Sequence, residues 1–273
     1  MIIERKVLAS VDQSATAESI ADYAAWAAIR LNAPLQFLHV IDRHLELGSG
    51  EDHSGAIGVD SQQALLTNLT DKDAELSRTT REKGRVFLNQ LRLRVIDAGV
   101  PAPDFKQRHG TIEESLIDQQ PSVSLFVLGR NIETIVRNLT VPILSVCAPF
   151  HQPARILIAF DGSSATRKAV DYVATSPLFS GLPIHVLMSG RPGQDAPKQL
   201  DWAKSKLQSA GLTTSTALMP GDAEQTITNV VQQEHIDLLV MGAYAHSPLR
   251  ALFFGSKTSG LLRSVKVPTL LVR

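Results

Sequence analysis

Two stretches of this chain align with each other without a gap. KVLASVDQSATAESIADYAAWAAIRLNAPLQFLHV, beginning at Lys6, lies against RILIAFDGSSATRKAVDYVATSPLFSGLPIHVLMS, beginning at Arg155, so that Asp12 falls on Asp161, Ser14 on Ser163, Tyr23 on Tyr172 and Pro34 on Pro183 at one constant offset. An ungapped internal repeat of this length limits the fold to two copies of one plan. HGTIEESLIDQQPSVSLFVLG, from His109, likewise matches PGDAEQTITNVVQQEHIDLLVMG, from Pro220, with Gly110 on Gly221 and Gly129 on Gly242. Both copies end alike, Val141-Pro142-Ile143-Leu144-Ser145-Val146 answering Val267-Pro268-Thr269-Leu270-Leu271-Val272. The sequence therefore divides into domains at 1–147 and 154–273, joined by the proline-bearing CAPFHQP.

Each copy alternates strand and helix. Val7-Leu8-Ala9-Ser10-Val11 and Ile156-Leu157-Ile158-Ala159-Phe160 are short apolar runs closed by Asp and turn residues, the pattern of a strand buried on both faces. Ser14 and Ser163 are expected to cap the helices that follow. Thr111-Ile112-Glu113-Glu114 reads as a capping box, and Asp222-Ala223-Glu224-Gln225 as its looser counterpart. Such alternation predicts an α/β fold, with parallel sheets covered by helices on both faces.

The copies differ in two places. Between Asp42 and Asp71 the first carries a Gly-, Ser- and acid-rich insertion, expected to form a mobile surface loop over 43–70. Leu76, Thr80, Phe87, Leu91 and Val95 then follow at mostly helical spacing and predict one long amphipathic helix over 71–97. The second difference follows the late glycine: the second copy spends twice as many positions from Gly242 to Pro268 as the first does from Gly129 to Pro142. The extra residues include Gly255 and Ser256, followed by Lys257, and the first copy has no equivalent of them.

Composition narrows the partners. Lysine plus arginine and aspartate plus glutamate stand at 27 each, so no net charge favours a polyanion such as nucleic acid or an acidic membrane. The single cysteine, Cys147, allows no intrachain disulfide and fits a reducing compartment. MIIERKVLASVD carries charges within its first apolar stretch, unlike a signal peptide or membrane span, and the expected location is the cytoplasm.

In these repeated motifs the chain resembles the universal stress protein family, as a tandem of two such domains. Nucleotide-binding members show Asp after the first strand and then a late pattern of Gly, two residues, Gly, nine residues and Gly-Ser or Gly-Thr. Asp161 matches the first element, Gly242 the first glycine and Gly255-Ser256 the last pair, while Ala245 stands where the middle glycine is usual. The resemblance implies an open sheet of order 3-2-1-4-5 in each copy, of the adenine nucleotide alpha hydrolase-like type. In such sheets a ligand sits beyond the carboxyl ends of the strands at the topological switch point. It also implies ATP or a related adenine nucleotide as ligand, with any Mg ion carried by the nucleotide, and pairing of the two copies through their last strands into an intrachain pseudo-dimer. A homodimer and an unidentified protein partner remain open.

The chemistry expected at that point is phosphate binding. Gly242 is expected to let the chain leave its strand with unusual dihedrals, and Gly255 to let backbone approach a ligand. Ser256 and Lys257 would open a helix whose free N–H groups and dipole suit phosphate oxygens. Asp161 would accept hydrogen bonds from the adenine or ribose end, and Ala159 and Met241 would wall the base. If the position of Ala245 requires a left-handed backbone, alanine costs on the order of 1–2 kcal/mol there. Gly255-Ser256-Lys257-Thr258 lacks the glycine spacing of a Walker A loop, and no Gly-x-Ser-x-Gly elbow is present. His39, His44, His53 and His109 show no ligand spacing, so no protein-held metal is expected. The function expected is a stress-response protein whose second copy binds the nucleotide as a sensor or switch, with no assigned catalytic residue. The alternatives are an interaction module of the same family without nucleotide, and a slow ATPase.

Overall fold

The apolar runs become strands buried on both faces. In a computed structural model, which describes residues 5–41, 79, 82–130, 135, 138–190, 193–242 and 265–273, β1 (Lys6–Ser10) and β6 (Ile156–Phe160) lie at the centre of each half. The first half continues with α1 (Ala17–Leu31), β2 (Leu35–Ile41), a helix α2 over 82–97, β3 (Asp104–His109), α3 (Ile112–Gln119), β4 (Val123–Leu128) and β5 (Ile143–Ser145). The second continues with α4 (Ser164–Thr175), β7 (Ile184–Gly190), α5 (Ala196–Ser209), β8 (Thr214–Pro220), α6 (Ala223–Gln233), β9 (Leu238–Gly242) and β10 (Thr269–Val272). The insertion over 43–70 lies outside the described residues, as do Leu76 and Thr80 of the expected long helix.

The strands form a single sheet of order β3-β2-β1-β4-β5-β10-β9-β6-β7-β8. All neighbours are parallel except β5 and β10, which meet antiparallel with Leu144 opposite Leu270. Each half thus has the order 3-2-1-4-5, and the order reads the same from either edge, as a twofold between β5 and β10 requires. The last strands of the two halves pair with each other, as expected, and so join both sheets into one; unpaired, each would be an open edge.

Alternation of side chains across the strands assigns the helices to faces. Val7, Ala9, Ile158 and Phe160 point to the face covered by α1, α2, α4 and α5, while Leu8, Leu157, Ala159 and Met241 point to the face covered by α3 and α6. Both cores run through the joint, since Leu144 and Leu270 belong to the first and Ile143 and Leu271 to the second. Further bonds cross it. The Arg30 Nε donates to the Leu178 carbonyl at 2.7 Å, the Arg130 guanidinium to that of Val265 at 3.3 Å and the Arg273 guanidinium to that of Leu139 at 3.1 Å. The linker is pinned at the same place. Asp237 accepts the N–H groups of Ala154 and Arg155 and pairs with His151 at 3.1 Å, and the Tyr23 hydroxyl accepts the His151 N–H. Cys147 lies here too, its thiol donating to the Val267 carbonyl at 3.1 Å, and burial raises its pKa against the opposing influence of Arg130. Among the described residues, no helix is long and apolar enough to cross a membrane.

Candidate functional site

β6 and β9 are parallel neighbours whose chains leave in opposite directions, β6 toward β7 and β9 toward β10. That divergence makes their carboxyl ends the topological switch point of the half, the place where ligands of open α/β sheets bind. Four of the residues expected there are described. Ala159 and Met241 are register partners on the α6 face, both fully buried in the core. Asp161 stands at the tip of β6 and Gly242 at the tip of β9. Ala245, Gly255, Ser256 and Lys257 lie outside the described residues.

Asp161 organises the turn that starts α4. Its Oδ1 accepts the Ser163 N–H at 2.9 Å and the Thr166 hydroxyl at 2.8 Å. Ser163 is the N-cap as expected, its hydroxyl accepting the Thr166 N–H. Gly162 bridges the two with φ +76°, where a side chain would be strained, and the Gln199 amide from α5 lies directly against it. The Arg167 Nε donates to the Gly162 carbonyl at 3.1 Å, and its guanidinium lies 4.5 Å from the Trp202 ring centre. Trp202 in turn stacks on Phe160 at 6.2 Å, so Arg167, Trp202 and Phe160 form one layered support on the α4 and α5 side of the turn. Sequence reasoning passed over Gln199 and Trp202. A helical spacing of three with one of only two tryptophans was the signal available.

Gly242 has a different reason from the one expected. Its backbone is outside the left-handed region. Instead a Cβ there would stand 2.6 Å from the carbonyl carbon of Ala165 and 2.7 Å from the N of Thr166. The first turn of α4 is therefore seated on the β9 tip, backbone against backbone, and only glycine leaves room.

The equivalent place in the first half is looser. Asp12 Oδ1 accepts the Ser14 N–H at 3.1 Å, but Ala17 replaces Thr166 and offers no hydroxyl. Ser14 is not the N-cap: α1 starts at Ala17, with Thr16 in the cap position and no side-chain cap bond, two aligned positions later than α4. Gly129, the partner of Gly242 in the alignment, would place a Cβ no nearer than 3.6 Å from any described neighbour, the Ile20 side chain. Near this strand end lies a cavity of about 690 Å³ lined by Gln13, Glu82, Lys83 and Phe87 among others. His39 serves the structure, its Nδ1–H donating to the Val11 carbonyl at 2.9 Å.

An open, mostly parallel sheet with a topological switch point in each half defines a class of α/β proteins. The family model of the universal stress protein family matches residues 4–129 and again 154–273, and the chain belongs to that family. Over 98% of its length it is 29% identical to the universal stress protein Slr1230 of a Synechocystis strain, all of which is covered. The fold is also that of a universal stress protein crystal structure from Archaeoglobus fulgidus, with a TM-score of 0.71 at 15% identity over 99% of this chain and 96% of that one.

Proposed function

We propose that this chain is a stress-response protein that binds ATP or a related adenine nucleotide at the β6–β9 crevice of its second half, and that it works as a sensor or switch. The reading rests on one contrast between the halves, 1–147 and 154–273. Only the second joins a rigid strand-tip floor, with Gly242 against α4 and Asp161 holding the turn, to a connection long enough to carry Gly255-Ser256-Lys257. The described residues suit such a ligand in chemistry, offering a carboxylate at one strand tip and a glycine at the other. Bound nucleotide would place its phosphates against the Gly255–Lys257 backbone and bring any Mg ion with it. With Oδ1 of Asp161 engaged in the turn, the carboxylate's contribution is to hold that turn in shape as well as to face the ligand. Charge-assisted bonds of the kind a phosphate makes are each worth roughly 1.5–3 kcal/mol, so losing two or three removes binding.

Native mass spectrometry of the purified protein and calorimetry with ATP test the reading. The expected stoichiometry is one nucleotide per chain, abolished by Gly255→Leu and unchanged by Asp12→Ala. Binding that survives Gly255→Leu and disappears with Asp12→Ala places the ligand in the first half and refutes the reading. No binding at all leaves the interaction-module alternative, and single-turnover hydrolysis of bound ATP establishes the ATPase alternative.

A further inference from the structure

The two outer edges of the ten-stranded sheet are built from opposite kinds of strand. β3 presents Asp104, Lys106, Arg108 and His109 among its six residues, the charges by which natural proteins keep an edge from pairing. β8 reads Thr-Ser-Thr-Ala-Leu-Met-Pro and carries no ionisable side chain at all. Among the described residues it pairs only with β7. Leu218 and Met219 are adjacent, so they point to opposite faces of the sheet, and each is more than a third exposed, at 39% and 38%. No described residue of β3 is a large exposed hydrophobe. Among the described residues one edge is thus charged and the other is open for pairing, with an apolar side chain on each face beside it.

We propose that β8 is a docking edge for a second copy of this chain, the two β8 strands pairing antiparallel about a twofold axis at Ala217. A twofold contact presents the same patch to itself, so it demands a strand that is compatible with its own reverse. Centred on Ala217, the pairing sets Thr216 opposite Leu218 and Ser215 opposite Met219, and every facing pair is neutral. Pro220, which has no N–H, falls at the end of the ladder opposite Thr214 and interrupts nothing. Self-pairing of β3 centred on Lys106 would set that lysine against its own copy while Asp104 faces Arg108, and centring on Gln107 would set Lys106 against Arg108, so either register places like charges directly opposite. The joint has a precedent within the chain, since β5 and β10 already unite two parallel sheets antiparallel with the same faces up. Repeating that operation at β8 continues one sheet through two molecules. The contact is short, and a weak dimer with a dissociation constant of about 1–100 µM is what it supports. This inference is independent of nucleotide binding.

Sedimentation equilibrium of the full chain across the micromolar range tests it. The unmodified chain is expected to show a monomer–dimer equilibrium. The double variant Thr216→Lys, Leu218→Lys sets lysine against lysine twice across the axis and is expected to weaken the dimer by roughly tenfold or more. The variant Thr216→Glu, Leu218→Lys carries opposite charges at the same two places and is expected to keep the dimer, while Lys106→Glu on the other edge leaves it unchanged. Thermal melts of each variant at a concentration where the chain is monomeric confirm that the fold is retained, as the exposure of Leu218 implies. A chain that stays monomeric throughout, a dimer indifferent to the lysine pair, a dimer weakened equally by both double variants, or one sensitive to Lys106→Glu overturns the proposal.

Discussion

A methyl group built on Gly242 would press into the backbone of Ala165 and Thr166, whereas among the described residues one on Gly129 would meet the side chains of Ile20 and Thr16 at ordinary contact distances. The two glycines look equivalent in the alignment and differ in what surrounds them. Overfilling a packed contact typically costs about 1–3 kcal/mol, because backbone has to move to make room. Gly242→Ala is therefore expected to destabilise the protein by about that amount, while Gly129→Ala stays within about 0.5 kcal/mol of neutral. Urea unfolding of both variants measures the difference. Equal effects would mean that α4 is not held against the β9 tip. Gly162 is constrained in another way, by its own left-handed backbone, so the two glycines at the strand tips of the second half carry distinct demands.

At the scale of elements, the start of a helix depends on one or two side chains that the repeat does not preserve. α4 begins early because Asp161 collects both the Ser163 N–H and the Thr166 hydroxyl, and Ser163 then caps the Thr166 N–H. With alanine at 17 in place of that threonine, Asp12 holds only Ser14, and the chain delays its first helical turn. Removing a real N-cap costs about 1 kcal/mol, and removing a residue that makes no cap bond costs little. Ser163→Ala is expected to lower stability by about 1 kcal/mol and Thr16→Ala by only a few tenths, read from denaturant midpoints. A larger loss at Thr16 would show that the first-half turn carries more of the fold than its bonding implies. The capping box at Thr111 shows the same dependence on detail. Its hydroxyl accepts the Glu114 N–H and donates to the Glu114 carboxylate, so the two side chains bond each other directly.

For the whole molecule the decisive feature is the antiparallel joint of β5 and β10. Leu144 and Leu270 face each other there without solvent exposure, and both cores pass across it. Two halves that share their hydrophobic cores are expected to unfold together, in one calorimetric transition. Leu270→Ala, which removes buried volume at the joint, is expected to cost about 2–5 kcal/mol and to shift that single transition as a whole. Two separate transitions, with only one of them moved, would show halves that are stable apart. The parallel expectation for function is asymmetry: a shared frame whose two crevices differ in floor and in connection.

The sequence by itself was enough for the α/β class, the repeat, the strands and the Ser163 cap. Each of these is dictated by nearby residues: apolar runs long enough for a buried strand, a hydroxyl three positions before the N–H it accepts, an offset that recurs. It also set Asp161 and Gly242 at strand ends, since each closes a short apolar run, and the family resemblance supplied the order that sets those strands side by side. What it misjudged or passed over depends on contacts between distant segments. That Gly242 is needed for the approach of α4 and that Gln199 and Trp202 brace the Asp161 turn from another helix were decided only by the tertiary structure, as was the register that sets Leu144 opposite Leu270 at the joint. Local preferences act over a few residues, while close packing is settled by whichever surfaces finally meet, and those surfaces lie far apart along this chain.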